Sequence, residues 1–485
     1  MKIRSSWLLA GIVLTALGAC GDETSDDITG SAGQGGAACA PVAEICNGAD
    51  DDRDGVADDG DCSAPALARA WFLGGSGADV IRGIALDDAG NVYLTGAVTY
   101  PADLGGPVDG SHGFVASLDA QGAVRWSYLW GEPGGGYSYG QDLSLAGAAV
   151  CVGGVFNGPF DFGGGVRTSA GYNDAVVLCL DAADGTYRWD RTFGDTLSDV
   201  VEGVHVDATG DVTVAGEIEQ GGADFGAGFV ADVGFFVARY ASDGSLRWAQ
   251  SFAGANAIFS QTPGVDAAGN VYTTGRLYGV VDLGGGPRGT AGSSSAFMLG
   301  LDAAGGYRWD IVTEAAVDFY GAALQSDDTL VVAGDFAGTL SLGGGSFPSH
   351  SPESRDVFAA AFDTSGNALW TYVAGGGDST RGFSLAIGPS DEVLLVGSFI
   401  GTSTFGGLPR TSAGVDDMHV VALTADGKYF WDAVFGGADI DELNAVAIGA
   451  TGTIVAGGET RSDLDLGTAT HTSAGDFDGV VLYLE

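Results

Sequence analysis

The residues best placed to do chemistry lie near the N terminus, in the aspartate-dense run Asp50–Asp61, DDDRDGVADDGD. Asp50, Asp52 and Asp54 alternate and Gly55 follows them. Val56, Asp58 and Asp61 then fall at the seventh, ninth and twelfth positions. A hard cation such as Ca2+ takes roughly six to eight oxygens, and alternate carboxylates around a glycine turn supply them, with a backbone carbonyl at the seventh position. The spacing therefore predicts a Ca2+-type loop with ligands from Asp50, Asp52, Asp54, the Val56 carbonyl, Asp58 and Asp61. Two features depart from the ideal. Asp61 stands where Glu normally gives two oxygens, and Arg53 puts a cation inside the cluster. No helical pattern flanks the run, so it would be an isolated loop; the competing reading is an acidic spacer.

Other chemistry is sparse. His112, His205, His350, His419 and His471 are scattered, and the chain has no HExxH, GxSxG or GxxxxGK[ST] motif. The formal net charge is −44, with Lys2 and Lys428 the only lysines. Such a surface repels nucleic-acid phosphates and anionic lipid, so the expected partners exclude nucleic acid.

The elements that position these groups begin with an address. In MKIRSSWLLAGIVLTALGAC, Lys2 and Arg4 precede an apolar stretch too short to span a bilayer. Leu17-Gly18-Ala19-Cys20 resembles the lipobox of bacterial lipoproteins. That resemblance implies a signal peptide over 1–19, lipidation of Cys20, and location at the outer membrane or cell surface, since Gly21 replaces the usual inner-membrane retention Asp. Membrane contact is then expected only through the lipid anchor. Residues 20–38 read as a flexible linker and 39–62 as an acidic segment flanked by cysteines.

From about residue 66 to 485 the chain repeats seven times. Trp71, Trp126, Trp189, Trp248, Trp309, Trp370 and Trp431 mark the units. So do strand-like runs closing on Gly96, Gly154, Gly216, Gly275, Gly334, Gly397 and Gly458, and an apolar residue before glycine at Leu104, Phe162, Phe225, Leu283, Leu342, Phe405 and Leu466. Each unit reads as four short strands joined by Asp-to-Gly turns. In the first unit these are Gly83–Asp87, Asn91–Val98, Gly113–Asp119 and Ala123–Trp130. Gly numbers 85 while 45% of residues are apolar, which suits many short strands and tight turns. The expected fold is all-β, a seven-bladed β-propeller of four-stranded antiparallel blades. The chain ends on a third strand, GVVLYLE, and the first Trp lies in a fourth strand with no first three, so an N-terminal strand should close the last blade.

The units resemble the SBBP repeats of secreted bacterial proteins, through GNVYLTG, GNVYTTG, DLGG, DFGG and the closing Trp. That resemblance implies the fold and little about activity. LDAADGTYRW and LTADGKYFW are also similar to repeats of pyrroloquinoline-quinone dehydrogenases, which are propellers too. EICNGADDDRDGVADDGDC resembles the metal-binding motif of MopE-type secreted proteins, except that Arg53 stands where that motif usually has Cys.

Loops between units are long and variable, which is where a rigid scaffold usually carries binding. They put Asp79, Arg82, Tyr137, Tyr139, Asp199, Glu202, Phe259, Asp318, Tyr320, Asp378, Arg381, Asp439 and Asp441 near the channel mouth. Aromatics mixed with carboxylates suit a glycan, a peptide or protein segment, or a cation; the competing reading is a solvated acidic rim. The Asp of each DLGG-type motif reads as a turn former, and the Trp residues as packing between blades. Cys151 and Cys179 fall on paired strands and predict a cross-strand disulfide. Among Cys39, Cys46 and Cys62 one pair plus one free thiol is expected, with the pairing open. The functional expectation is a non-catalytic surface binding or scaffold module. The alternative is an extracellular propeller enzyme, a glycosidase or lyase, or less readily a quinoprotein dehydrogenase.

Overall fold

The structure, a computed structural model, describes residues 64–485 apart from 100–103, 105–110, 132–136, 220, 227, 231–233, 254–256, 261, 314–315, 377, 462, 467–469 and 474. Asp50, Asp52, Asp54, Val56, Asp58, Asp61, Cys20, Cys39, Cys46 and Cys62 lie outside the described residues.

Seven antiparallel sheets form the blades of a propeller. A first strand, β1 (Leu67–Leu73), stands ahead of the repeats. The first blade follows as β2 (Val80–Leu86), β3 (Val92–Thr99), β4 (Ser111–Leu118) and β5 (Val124–Trp130), hydrogen-bonded in that order. Strand β1 pairs with the last strand, Asp478–Leu484, with Trp71 opposite Val481, and supplies the fourth strand of the seventh blade. Leu67, Ala70 and Phe72 pack against Val480, Leu482 and Leu484, so closing the ring also buries apolar surface.

Each repeat marker has a packing reason. The Trp side chains join blades. Trp126, Trp189, Trp248 and Trp309 each donate an indole N–H to a carbonyl in the 3–4 turn of the next blade, those of Ala182, Ser242, Ala303 and Thr364, at 3.0–3.2 Å. The glycine of that turn lies against the indole. Gly185, at φ +73°, has no room for a Cβ beside Trp126, and Gly366, at φ +82°, has none beside Trp309.

The apolar residue before glycine is a plug in the core: Leu104, Phe162, Phe225, Leu283, Leu342 and Phe405 are all at most 3% exposed. The Asp ahead of it caps the turn. Asp161 accepts from the Gly163 and Gly165 N–H groups at 2.8 and 2.9 Å, and Asp282 does the same for Gly284 and Gly286. Cys151 and Cys179 are directly opposed in the second blade and are bridged, with Cα atoms 4.1 Å apart.

The first strand of the first blade starts at Val80, three residues earlier than the sequence pattern predicts. The cause is a β-bulge inside that strand, which breaks the period-two alternation on which the reading relied.

Candidate binding site in the central channel

In every blade the inner strand carries one residue with no partner in the next strand. These bulged residues are Arg82, Gln141, Glu202, Phe259, Tyr320, Phe383 and Asn444. The residue just before the bulge faces the marker glycine in six blades, as Ile81 faces Gly96 and Phe319 faces Gly334, and in the blade of Phe259 it is the residue after, Ser260, that faces Gly275. The bulge tilts a carbonyl over that glycine. A Cβ at Gly96 would run into the Val80 oxygen, and one at Gly216, Gly334 or Gly458 into those of Val200, Asp318 or Glu442. The glycine that marks each repeat is therefore the mate of a bulge, and in six blades the bulged side chain faces the central cavity.

Six of these side chains, Arg82, Gln141, Glu202, Tyr320, Phe383 and Asn444, form a polar and aromatic collar around a central cavity of about 640 Å3. Two residues further along the same strands, and hence on the same face, Ile84, Leu143, Ala322, Leu385 and Val446 line the cavity with apolar surface. The result is a cup with a varied rim over a greasy wall.

Neighbouring blades lock the collar together. Arg82 Nη1 donates to Gln141 Oε1 at 3.1 Å, and its guanidinium lies 4.8 Å above the Tyr139 ring. Asn444 Nδ2 donates to the Ile81 carbonyl at 3.2 Å. Asp142 Oδ2 accepts from the Val204 N–H at 2.9 Å and from the Thr262 hydroxyl at 2.8 Å. Tyr320 and Phe383 meet edge to face at 5.7 Å.

The electrostatics of the cup are lopsided. Burial pushes the Glu202 carboxyl up to about 7; Arg82 pulls it down and Asp142 pushes it further up. Asp142 is raised to about 6, mainly by burial. Glu217, on the strand beside Glu202, and Glu459, which lines the cavity, each rise to about 7, again through burial first and then through Glu202 and Glu442 respectively, with Arg82 opposing at Glu459. His205, which also lines the cavity, is held below the usual imidazole range by burial.

Of the residues that the loops suggested, Arg82, Glu202 and Tyr320 come together in the cup, with Tyr139 behind Arg82 and Tyr137, 46% exposed, edge-on to Tyr139 at 5.5 Å. Others lie elsewhere. Asp79, Asp199 and Asp441 are fully buried and pin the loops between blades rather than lining a rim. Asp79 accepts from the Thr99 N–H at 2.6 Å, Asp199 from those of Asp195 and Glu219 at 2.7 and 2.9 Å, and Asp441 from that of Gly437 at 2.7 Å. Asp318 sits in an ion network with Arg276 at 3.3 Å and with Arg355, which also reaches Asp335. Asp378 and Arg381 are exposed, and Asp439 is half-buried, its carbonyl accepting from the Val415 and Asp416 N–H groups.

Loop reading missed Gln141, Asp142, His205, Phe383, Asn444 and Glu459. A signal for the collar was present: in five units the bulged residue stands fourteen positions ahead of the marker glycine. Among the described residues no group of three or more His, Cys, Asp or Glu side chains is arranged to hold a metal, and no helix is long and apolar enough to cross a membrane.

Known proteins resemble the chain over parts of its length. Residues 73–97, from the end of β1 through most of β3, match the SBBP family model, described as a beta-propeller repeat. The regulatory protein FlaEY of Caulobacter vibrioides is 29% identical over 124 residues, 25% of this chain and 13% of that protein. An uncharacterised WD repeat-containing protein of Acanthamoeba polyphaga mimivirus is 23% identical over 387 residues, 69% of this chain and 25% of that protein. The chain thus spans a quarter or less of these relatives' length. Among solved structures, the WD40 propeller domain of Doa1 aligns with a TM-score of 0.44 at 11% identity, covering 86% of this chain and 97% of that one. The quinohemoprotein alcohol dehydrogenase of Comamonas testosteroni aligns with a TM-score of 0.42 at 12% identity, covering 86% and 76%. The chain is a seven-bladed β-propeller that contains an SBBP-type repeat.

Proposed function

We propose that this chain is a surface lipoprotein, anchored through Cys20, whose propeller is a non-catalytic binding module. Its acidic segment, residues 39–62, carries a Ca2+-type loop made by Asp50, Asp52, Asp54, Val56, Asp58 and Asp61. The observation that supports the binding role is the collar: one backbone device in every blade, which in six blades brings a different side chain to a cup of about 640 Å3. A repeated scaffold that presents varied side chains to a cavity is an arrangement suited to recognition, and the volume matches a small ligand or the tip of a larger one. The partner is an extracellular glycan, peptide or protein segment. A glycan and peptide array probed with the full chain, with and without calcium, tests this. Specific retention that falls when Arg82, Glu202 and Tyr320 are replaced is the expected result.

One observation favours a second reading. Glu202, near neutrality in its titration, shares the cup with Asp142 and His205. A carboxyl poised there can exchange protons with a substrate, as a glycosidase or lyase requires. Appearance of cleaved products on the same array, lost in E202Q, would select it.

A further inference from the structure

The cup has a charge and polarity pattern of its own. Its one cationic collar residue, Arg82, is hydrogen-bonded to Gln141, lies over the Tyr139 ring, and favours the charged forms of both Glu202 and Glu459. Beside it Glu202, Glu459 and Asp142 line the same cavity. Below them Ile84, Leu143, Leu385 and Val446 offer only apolar surface, each at most 9% exposed. A bare metal ion would leave that wall unused. An anion would face three carboxyls, and a neutral apolar molecule would strand them desolvated.

Resting on the reading of the channel as the binding site, we propose that its ligand is an organic cation: a primary ammonium, held at the collar by Glu202 and Glu459, on an apolar chain that fills the cup. A lysine side chain or an alkylamine has this chemistry. The aromatic edges of Tyr320 and Phe383 flank the path of the chain. The groups that face Glu202 are Arg82 from the first blade and Tyr139 and Asp142 from the second, with Glu217 on the strand beside it. Of these only Arg82 favours its charge and burial outweighs it, so an arriving ammonium adds a second counter-ion and drives a proton off.

Calorimetric titration of the full chain with n-hexylammonium, n-hexanol and n-hexanoate tests this, run at pH about 6 and about 8 and in two buffers of different ionisation heat. Hexylammonium should bind at least about tenfold more tightly than the other two, tighten on going to the higher pH, and release protons. E202Q and E459Q, both isosteric and checked for an unchanged melting temperature, should each weaken it several-fold. Binding of hexanol or hexanoate as tight as that of the amine, with no effect of E202Q, would overturn the cationic assignment while leaving the channel as a site. No heat from hexylammonium at about 10 mM would overturn the assignment too, and a collar-dependent hit of another chemistry on the array would then keep the binding role.

Discussion

At the scale of single residues, the marker glycines and the collar are two views of one device. The repeat of Gly96, Gly216, Gly334, Gly397 and Gly458 was legible in the sequence, but its reason was not, because a bulge is a property of two strands in register and one strand cannot show it. G334A should therefore cost about 1–3 kcal/mol or more, since its Cβ meets the Asp318 carbonyl and backbone cannot step aside. G122A, in an open turn at φ +86° with nothing nearby, should cost only about 1 kcal/mol, from the left-handed backbone alone. Urea unfolding of the two variants checks the order.

The buried carboxyls make a second prediction at this scale. Glu202, Glu217 and Glu459 titrate near 7 in the fold, above the ordinary value of 4.5. Between those values the folded chain holds protons that the unfolded chain has released. Their stabilisation is full below about pH 4.5 and is lost as pH rises through about 7. The urea midpoint should fall across that window, and E202Q should make the fall shallower. An unchanged slope in E202Q would contradict the burial of that carboxyl. The carboxylates Asp79, Asp199 and Asp441 show why loop residues mislead: an Asp at a loop-to-strand junction can serve a ligand or cap backbone N–H groups, and the sequence looks the same in both cases.

At the scale of elements, most of the architecture was legible. Seven Trp positions, seven apolar-Gly pairs (six of them core plugs, Leu466 half-buried) and Asp-to-Gly turns gave blade number and strand order, because each depends on contacts with a fixed offset along the chain. Even closure could be read from the unmatched strands at the two ends. In the structure, Ala66 and Glu485 exchange two backbone hydrogen bonds at 3.0 Å beside the β1 pairing. A chain that begins at residue 74 leaves Asp478–Leu484 as an open apolar edge. It should melt at lower temperature and aggregate on size exclusion, whereas a chain that begins at residue 64 should stay monodisperse. Equal behaviour of the two would mean that β1 is not the closing strand.

At the scale of the whole molecule, a strongly acidic chain encloses a cup whose wall is apolar and whose six collar residues are all of different type. The strands and their bulges repeat from blade to blade, while the residues at the bulge tips, like the loops between units, vary. That contrast is the basis for placing recognition in the channel. The most direct test takes the strongest hit from the glycan and peptide array and measures its affinity for the full chain and for the R82A/E202Q/Y320A variant. A loss of at least about tenfold at unchanged melting temperature is predicted. Equal affinity in the two proteins would contradict the account and move recognition out of the central channel.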